Sequence, residues 1–414
     1  MMNIPILVLV TVFLLIAFRG VKNFRLPIWQ AMLLGALIVL VTGQISPSLA
    51  FRAINPDVML FLFGAFVVGQ ALEESGYLFH LSYRLFNRAG SADALILLIL
   101  FGVGTASAFL MNDTLAIIGT PLVLLLAKQH RMSPKVLLLA LAFAVTLGSV
   151  ASPIGNPQNL LIAIHGRMEN PFVEFFRYLA LPTLINLFAA YLILRFFYRE
   201  SFHGESLVHT RVALKDKKLA RLARLSLMML VSLVAAKIVL VFLEVNVDFP
   251  LTYIALLAAA PVLLFSPKRW HIVRRIDWNT LIFFGAMFVL MESVWATGLF
   301  QSLMAHSSWG AVSVTAILVV SVFLSQLISN VPLVALYLPL LMHAGASGKE
   351  LMALAAGSTL AGNLFILGAA SNVIIIQNAE NKSGQTLSFL DFARVGIPLT
   401  AVNVLVYWIF LSAS

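Results

Sequence analysis

Long apolar runs separated by short polar, mostly basic segments occupy nearly the whole chain. Ile4–Phe18, Leu26–Leu40, Leu179–Phe197, Leu225–Phe242, Leu251–Phe265 and Pro398–Leu411 are clear examples, and about 20 helical residues cross a bilayer core of about 30 Å. No alternation of apolar and polar positions accompanies these runs, so they predict α-helical spans rather than barrel strands. Two further stretches, Ala92–Ala127 and Val312–Met342, carry polar groups near their middles: Met111-Asn112-Asp113-Thr114 and Ser329-Asn330-Val331-Pro332. Each has room for two short half-spans joined by a polar tip, which predicts re-entrant hairpins buried in protein or lining a cavity. Two interruptions, Ser152–Asn159 and Gly368–Asn372, fall inside otherwise apolar spans. Pro153 and Pro157 cannot continue an α-helix, and Gly155 tolerates unwinding. The segment Tyr77–Asn87, with Arg84 amid Leu and Phe, predicts an amphipathic helix at the membrane surface.

Composition supports this reading. Of 414 residues, 61% are hydrophobic and 11% charged, with a mean hydropathy of +0.99, whereas a soluble domain devotes roughly a quarter of its residues to charge. The net charge of +10 is the signature of basic loops on one side of a membrane rather than of nucleic-acid binding. Cysteine is absent, which removes disulfide and thiol chemistry. The first apolar run lacks a basic leader and a small-residue cleavage site, so it reads as a retained helix. One threading places Arg19, Lys22 and Arg25, the Arg84–Arg88 loop, the Lys128–Lys135 turn, the 199–224 segment and the 266–277 loop on the inner side. That puts about 22 of the 27 Lys and Arg residues inside, with Arg52, Arg167, Arg177 and Lys349 outside and Lys237 within a span. Both termini then lie outside a prokaryotic inner (plasma) membrane.

The chain repeats itself. Ile54-Asn55-Pro56-Asp57 precedes Leu62-Phe63-Gly64-Ala65, as Ile276-Asp277-Trp278-Asn279 precedes Phe283-Phe284-Gly285-Ala286. Ser75-Gly76 answers to Thr297-Gly298, and Asn112 with Pro121 to Asn330 with Pro339. Pro153–Ile162 pairs with Ile366–Ile375, and Phe176…Pro182 with Phe392…Pro398. The charge threading starts one copy outside and the other inside, so the repeats are inverted, as in alternating-access carriers with a site near the midplane. The segments are then 1–53, N-terminal helices; 54–198, the first repeat with hairpin 92–127 and broken helix 136–165; 199–224, a cytoplasmic linker; 225–266, further helices; and 276–414, the second repeat with hairpin 312–342 and broken helix 350–377. The expected fold is an all-α polytopic membrane protein of about ten spans plus two re-entrant hairpins.

The candidate site gathers from the four polar segments. Unwound turns free carbonyls for cations and expose helix N-termini to anions or hydroxyls, and the Asn amide offers both an acceptor and donors. The candidates are Asn112, Asp113, Thr114, Ser152, Gly155, Asn156, Asn159, Ser329, Asn330, Asn363, Gly368, Ser371 and Asn372. Asp113 is the expected proton-coupling residue, because an ionisable group inside a membrane is costly and usually functional. Lys237 with Glu244, Glu73 with Glu74, and the isolated His165 and His343 read as structural. No nucleotide, phosphate-loop or hydrolase motif is present, so neither catalysis nor ATP-driven pumping by this chain is expected. No metal or organic cofactor is expected, only a coupling ion, H+ or Na+.

Ser152-Pro153-Ile154-Gly155-Asn156-Pro157-Gln158-Asn159, Ile328-Ser329-Asn330-Val331-Pro332, Gly362-Asn363-Leu364 and Gly368-Ala369-Ala370-Ser371-Asn372 resemble the ion-transporter superfamily. That group includes arsenite permeases, citrate-transporter-like permeases and divalent anion:sodium symporters, and the resemblance runs from about residue 54 to the C-terminus. It implies a scaffold domain, a mobile transport domain with opposed hairpins, an elevator-like motion and frequently a homodimer. The dicarboxylate branch carries Ser-Asn-Thr at both tips, which neither tip here matches; Asn112-Asp113 instead resembles arsenite permeases, which also implies the option of a separate ATPase subunit. The four motifs hold no Lys, Arg or His, which suits neutral arsenite or antimonite. The leading expectation is proton-coupled efflux of these solutes. The alternatives are sodium- or proton-coupled transport of a small anion such as citrate, a dicarboxylate, sulfate or phosphate, and a passive channel.

Overall fold

The computed structural model describes residues 4–17, 26–168, 170–202, 207, 214–242, 250–299, 302, 313–328 and 330–413. Every regular element among them is helical, in keeping with the expected all-α class. Six helices are long and apolar enough to cross a membrane by length and composition, and six shorter apolar helices accompany them. The helices form two compact units.

The first unit comprises 1–88, 209–300 and 377–384. It contains α1 (Ile4–Ala17), α2 (Ile28–Val41), α3 (Pro47–Ala53), α4 (Pro56–Glu74) and α5 (Tyr77–Phe86). The helix α5 occupies the segment whose pattern predicts an amphipathic helix. The second unit begins with α6 (Ala92–Leu110), which contains a π-helical stretch at Leu98–Val103. Next come α7 (Asn112–Gln129), α8 (Pro134–Val150), α9 (Pro157–His165) and α10 (Pro171–Phe197). The chain returns to the first unit for α11 (Lys217–Phe242), α12 (Leu251–Phe265), α13 (Arg269–Arg275) and α14 (Trp278–Trp295). It then supplies the second unit with α15 (Val314–Ile328), α16 (Asn330–His343), α17 (Gly348–Leu364), the start of α18 (Ala370–Ser383) and α19 (Phe389–Ala413). The second unit thus draws on both repeats.

In the first unit the repeated motifs act as helix punctuation. Asn55 Oδ1 accepts from Val58 N at 3.1 Å to cap α4, and Asp277 Oδ1 accepts from Thr280 N at 3.1 Å to cap α14. Gly76 (φ 76°) and Gly298 (φ 70°) turn the chain out of those helices in left-handed conformations. Ser75 and Thr297 each accept from the amide two residues on, both at 3.3 Å. The packing is less symmetric. A Cβ on Gly64 would stand 2.7 Å from the Ala255 carbonyl of α12, whereas one on Gly285 would meet nothing within 4 Å. Glu73 pairs with Lys382, and Glu74 lies 3.5 Å from both His271 and Arg275. Asp216 precedes α11 and accepts from the Lys218 and Leu219 amides, both at 3.0 Å. The Lys268 ammonium at 2.9 Å, followed by those amides, holds the Asp216 carboxyl below the usual carboxylate range. Lys237 lies on α11, and Glu244 lies outside the described residues.

In the second unit, α8 from Val136 to Val150 and α17 from Leu351 to Leu364 are buried on every side. They pack on each other, with α6 and α7 against α8 and α15 and α16 against α17. The first hairpin packs closely on α8. A Cβ on Gly148 would lie 1.9 Å from the Gly104 carbonyl oxygen, so only glycine lets α6 and α8 approach to this distance. The first hairpin's arms have 19 and 18 residues, about 28 and 27 Å at 1.5 Å per residue, and so exceed the expected half-spans. The second hairpin's arms have 15 and 14. The first tip nonetheless stops where α8 breaks, with the nine-residue α9 still to come, because Asn112 N donates to Gly155 O at 3.0 Å.

The glycine contacts yield a test. G148A should destabilise the protein by about 1–3 kcal/mol through overpacking against backbone, visible as a lower thermal unfolding midpoint of the detergent-purified protein. G285A, with open space, should match or exceed the wild type.

Candidate functional site

Each hairpin tip begins its return helix with asparagine: Asn112 starts α7 and Asn330 starts α16. At the first tip, Met111 adopts φ 60°, ψ 140°, a conformation that strains a residue with a side chain and marks a tightly determined turn. Asn112 and Thr114 are buried. Asn112 Oδ1 accepts from Asp113 N at 2.9 Å, which orients the side chain over the first turn. Asp113 is half-buried, and its Oδ1 is enclosed without a hydrogen-bond partner. A charged oxygen so placed is strongly penalised until it gains a proton or a cation.

The first break covers residues 151–156, and Pro157 then starts α9 at a position that needs no N–H. Gly155 sits so near Ser149 that a Cβ would stand 2.3 Å from its carbonyl oxygen. The polar side chains here mostly serve the break itself. Asn156 Oδ1 caps α9 by accepting from Asn159 N at 2.9 Å, while its Nδ2 donates to Ser149 Oγ (3.1 Å) and Thr359 Oγ1 (3.2 Å). Asn159 Nδ2 reaches the carbonyls of Ser149, Val150 and Ser152 at 3.1, 3.3 and 3.0 Å. Gln158 Nε2 adds a donor to Thr359 Oγ1 at 3.3 Å, and that hydroxyl is 3.5 Å from Asn159 Oδ1. Ser152 Oγ accepts from Ile154 N at 3.3 Å.

The second break covers residues 365–369, so Ser371 and Asn372 lie in the first turn of α18 rather than in the unwound segment. The helix leaves its path early, at Phe365, and Gly368 packs where a Cβ would be 2.0 Å from Ala361 O. Asn372 Nδ2 donates to Gly362 O, the counterpart of the Asn159–Ser149 bond in the first repeat. Gln326 Nε2 donates to Ala361 O at 2.8 Å and Val322 O at 3.0 Å. Here the oxygens are left over. Asn330 Oδ1, Asn363 Oδ1, Asn372 Oδ1, Gln326 Oε1, Ser371 Oγ and Thr146 Oγ1 are all buried without a hydrogen-bond partner.

The contrast has a simple origin. The spacing that relates Gly155 to Gly368 and Asn159 to Asn372 also relates Thr146 to Thr359. Thr359 is saturated by the amides of Asn156 and Gln158; the equivalent positions in the second repeat are Ala369 and Ser371, which carry no amide. Thr146 Oγ1 therefore goes unanswered. It stands beside the close contact of Gly362, whose Cβ would lie 3.5 Å from it.

Among the predicted residues, Ser329 lies outside the described residues; the other twelve all belong to the second unit. Asn112 and Gly155 are joined directly, as are Asn156 and Asn159. Asn363 takes part in a chain that sequence reasoning missed: its Nδ2 donates to Asn403 Oδ1 (3.0 Å), and Asn403 Nδ2 donates to Asn186 Oδ1 (2.9 Å). The available signal was a second repeat of Pro, Thr and Asn in two apolar spans, Pro182-Thr183-Asn186 and Pro398-Thr400-Asn403. Gln158, inside the quoted polar interruption, was not singled out there, nor were Thr146 and Thr359, which the repeat spacing relates, or Gln326, a single polar residue in an apolar helix. None of the residues bearing these enclosed groups is Lys, Arg or His. Among the described residues no three His, Cys, Asp or Glu gather to hold a metal.

The family and sequence comparisons agree with a transport role. The sequence matches the citrate transporter family (CitMHS) over residues 12–355. It is 28% identical over 428 residues to an uncharacterized transporter of Mycobacterium bovis, covering 98% of this chain and 97% of that one. It is 26% identical over 436 residues to the silicon efflux transporter LSI3 of Oryza sativa subsp. japonica, covering 89% of each. Among solved structures, the YdaH transporter of Alcanivorax borkumensis aligns with a TM-score of 0.49 at 15% identity, over 99% of this chain and 96% of that one. With apolar spans throughout and a family match across most of its length, the chain is an integral membrane transporter and belongs to the citrate transporter family.

Proposed function

We propose that the chain is a secondary active carrier that exports a small neutral polyhydroxylated solute, arsenite or antimonite, in exchange for protons carried by Asp113. The observation that carries this reading is the chemistry of the enclosed groups named at the tips and the second break: amide and hydroxyl oxygens, the Asp113 carboxylate, and no Lys, Arg or His among them. Neutral As(OH)3 brings O–H donors to such acceptors and no charge to be neutralised. A trivalent anion would need compensating cations that the protein does not supply. A relative named for silicon efflux supports a solute of this kind. In the same reading the unit of 89–208, 301–376 and 385–414 is the moving body of an elevator-type cycle, and the chain works as a homodimer in a prokaryotic inner membrane with both termini outside.

A second reading has the family's description in its favour: citrate or another small anion carried with sodium or protons. The same oxygens are hard ligands suited to an alkali or alkaline-earth cation that would accompany such an anion.

Flux in proteoliposomes decides between them. Arsenite, citrate, succinate, sulfate and phosphate are offered under an imposed pH gradient, with and without sodium. Arsenite alone should accumulate against its gradient, and collapsing the pH gradient should stop it. Accumulation that persists with both ion gradients dissipated would end the secondary-carrier reading, and citrate or another anion in place of arsenite would establish the second.

D113N should abolish proton-driven accumulation while arsenite still exchanges across the membrane; proton-driven transport that survives this substitution would overturn the role given to Asp113. S371A removes only an unpaired hydroxyl, so it should raise the half-saturating arsenite concentration about tenfold, equivalent to one hydrogen bond, and leave the unfolding midpoint unchanged. N159A strips three carbonyls of their donor and should instead lower the unfolding midpoint, by a stability loss of about 1–3 kcal/mol.

A further inference from the structure

The last turns of α10 carry a feature that the transport reading does not use. A cavity of about 270 Å³ opens there, lined by Leu192, Arg195, Phe196, Arg199 and Phe202. Among the described residues its lining holds two guanidinium groups, and the Arg195 group is paired with Asp93 behind the wall. The walls are set by stacked contacts. Arg199 lies over the Phe196 ring at 5.0 Å, and Phe202 meets the Tyr191 ring edge-on at 6.3 Å. Tyr191 Oη donates to Asp93 and accepts from Arg195 Nη1 at 3.1 Å. Asp93 also pairs with Arg195 Nε at 3.4 Å. These contacts hold one edge of the Arg195 guanidinium, and its five-donor fork leaves further N–H groups for a ligand.

Position gives the ligand its second half. The helix α10 is a 27-residue apolar candidate span, and the two arginines stand at its very end and just beyond it. Leading up to the cavity, Leu181, Leu184, Phe188, Leu192 and Phe196 recur every three or four residues, each between 47% and 62% exposed. That spacing makes one continuous apolar stripe facing away from the protein core. A ligand seated here meets guanidinium groups at one end and an apolar track at the other.

We propose that this cavity binds an anionic phospholipid, with its phosphate on Arg195 and Arg199 and an acyl chain along the Leu192–Phe196 stripe. Basic pockets at the membrane-surface ends of helices recognise anionic headgroups, and the guanidinium fork matches a phosphate's paired oxygens. A free inorganic anion would satisfy the arginines but leave the apolar stripe unused.

The full chain in detergent, titrated with phosphatidylglycerol and followed by native mass spectrometry, tests this. Phosphatidylglycerol should be retained about tenfold more strongly than phosphatidylcholine, and R195Q/R199Q should bring the two to the same level. Inorganic phosphate at equal concentration should not displace the lipid. Should the double variant fail to fold, R199Q leaves the Arg195–Asp93 pair intact and should lose a substantial part of the preference. Unchanged lipid retention in the arginine variants would overturn the proposal. Full displacement by phosphate would overturn it too, in favour of a free-anion site.

Discussion

Main-chain groups set free inside an apolar interior must find partners, and the second unit is organised around this demand. Two helices buried on every side, α8 and α17, stop within the unit and resume after a few irregular residues. Each interruption strands carbonyls where no bulk water can reach them, at a cost of several kcal/mol per group if left so. Asparagine amides answer: Asn159 covers three carbonyls at the first break, and Asn372 takes the equivalent carbonyl at the second. Glycine makes this geometry reachable. Gly155 and Gly368 lie where a Cβ would collide with backbone, and Gly148 allows the first hairpin to come close enough for its tip to join the break.

From that shared solution the two breaks diverge. The first spends its polar groups on itself, with Asn156, Gln158 and Asn159 gathered on Thr359. The second has Ala369 and Ser371 where those amides would stand, and Asn363 Oδ1, Asn372 Oδ1 and Ser371 Oγ are enclosed there without a hydrogen-bond partner. The two breaks share their backbone and differ in side chains: the first is tied by its own amides, and the second keeps unpaired acceptors. Asp113, the one carboxylate among the described residues with an enclosed, unpaired oxygen, sits at the tip that the first break anchors.

The first unit follows simpler rules. Its repeated motifs turn out to be starts and stops of helices, Asn55 and Asp277 at the N-termini and Gly76 and Gly298 at the C-termini. Their ion pairs gather at helix ends, as for Glu73 with Lys382 and Asp216 with Lys268, where charge is close to water or to loops.

By itself the sequence determined the membrane class, the helical fold, the repeated order of motifs and the four places where apolar helices fail. Each of these is written in strong local signals: uninterrupted apolar length, proline and glycine in the midst of it, and asparagine where leucine would serve. Tertiary structure alone decided which asparagines are spoken for. Asn156 and Asn159 look like Asn372 in the sequence, yet their side-chain oxygens accept hydrogen bonds from Asn159 N and Thr359 Oγ1, whereas the Asn372 oxygen is enclosed without a partner. It also decided the lengths of the first hairpin's arms, the asparagine chain through Asn363, Asn403 and Asn186, and the residues that begin α18. The reason is that a hydrogen bond's partner is set by three-dimensional approach, often across two hundred residues, and local composition carries no record of it.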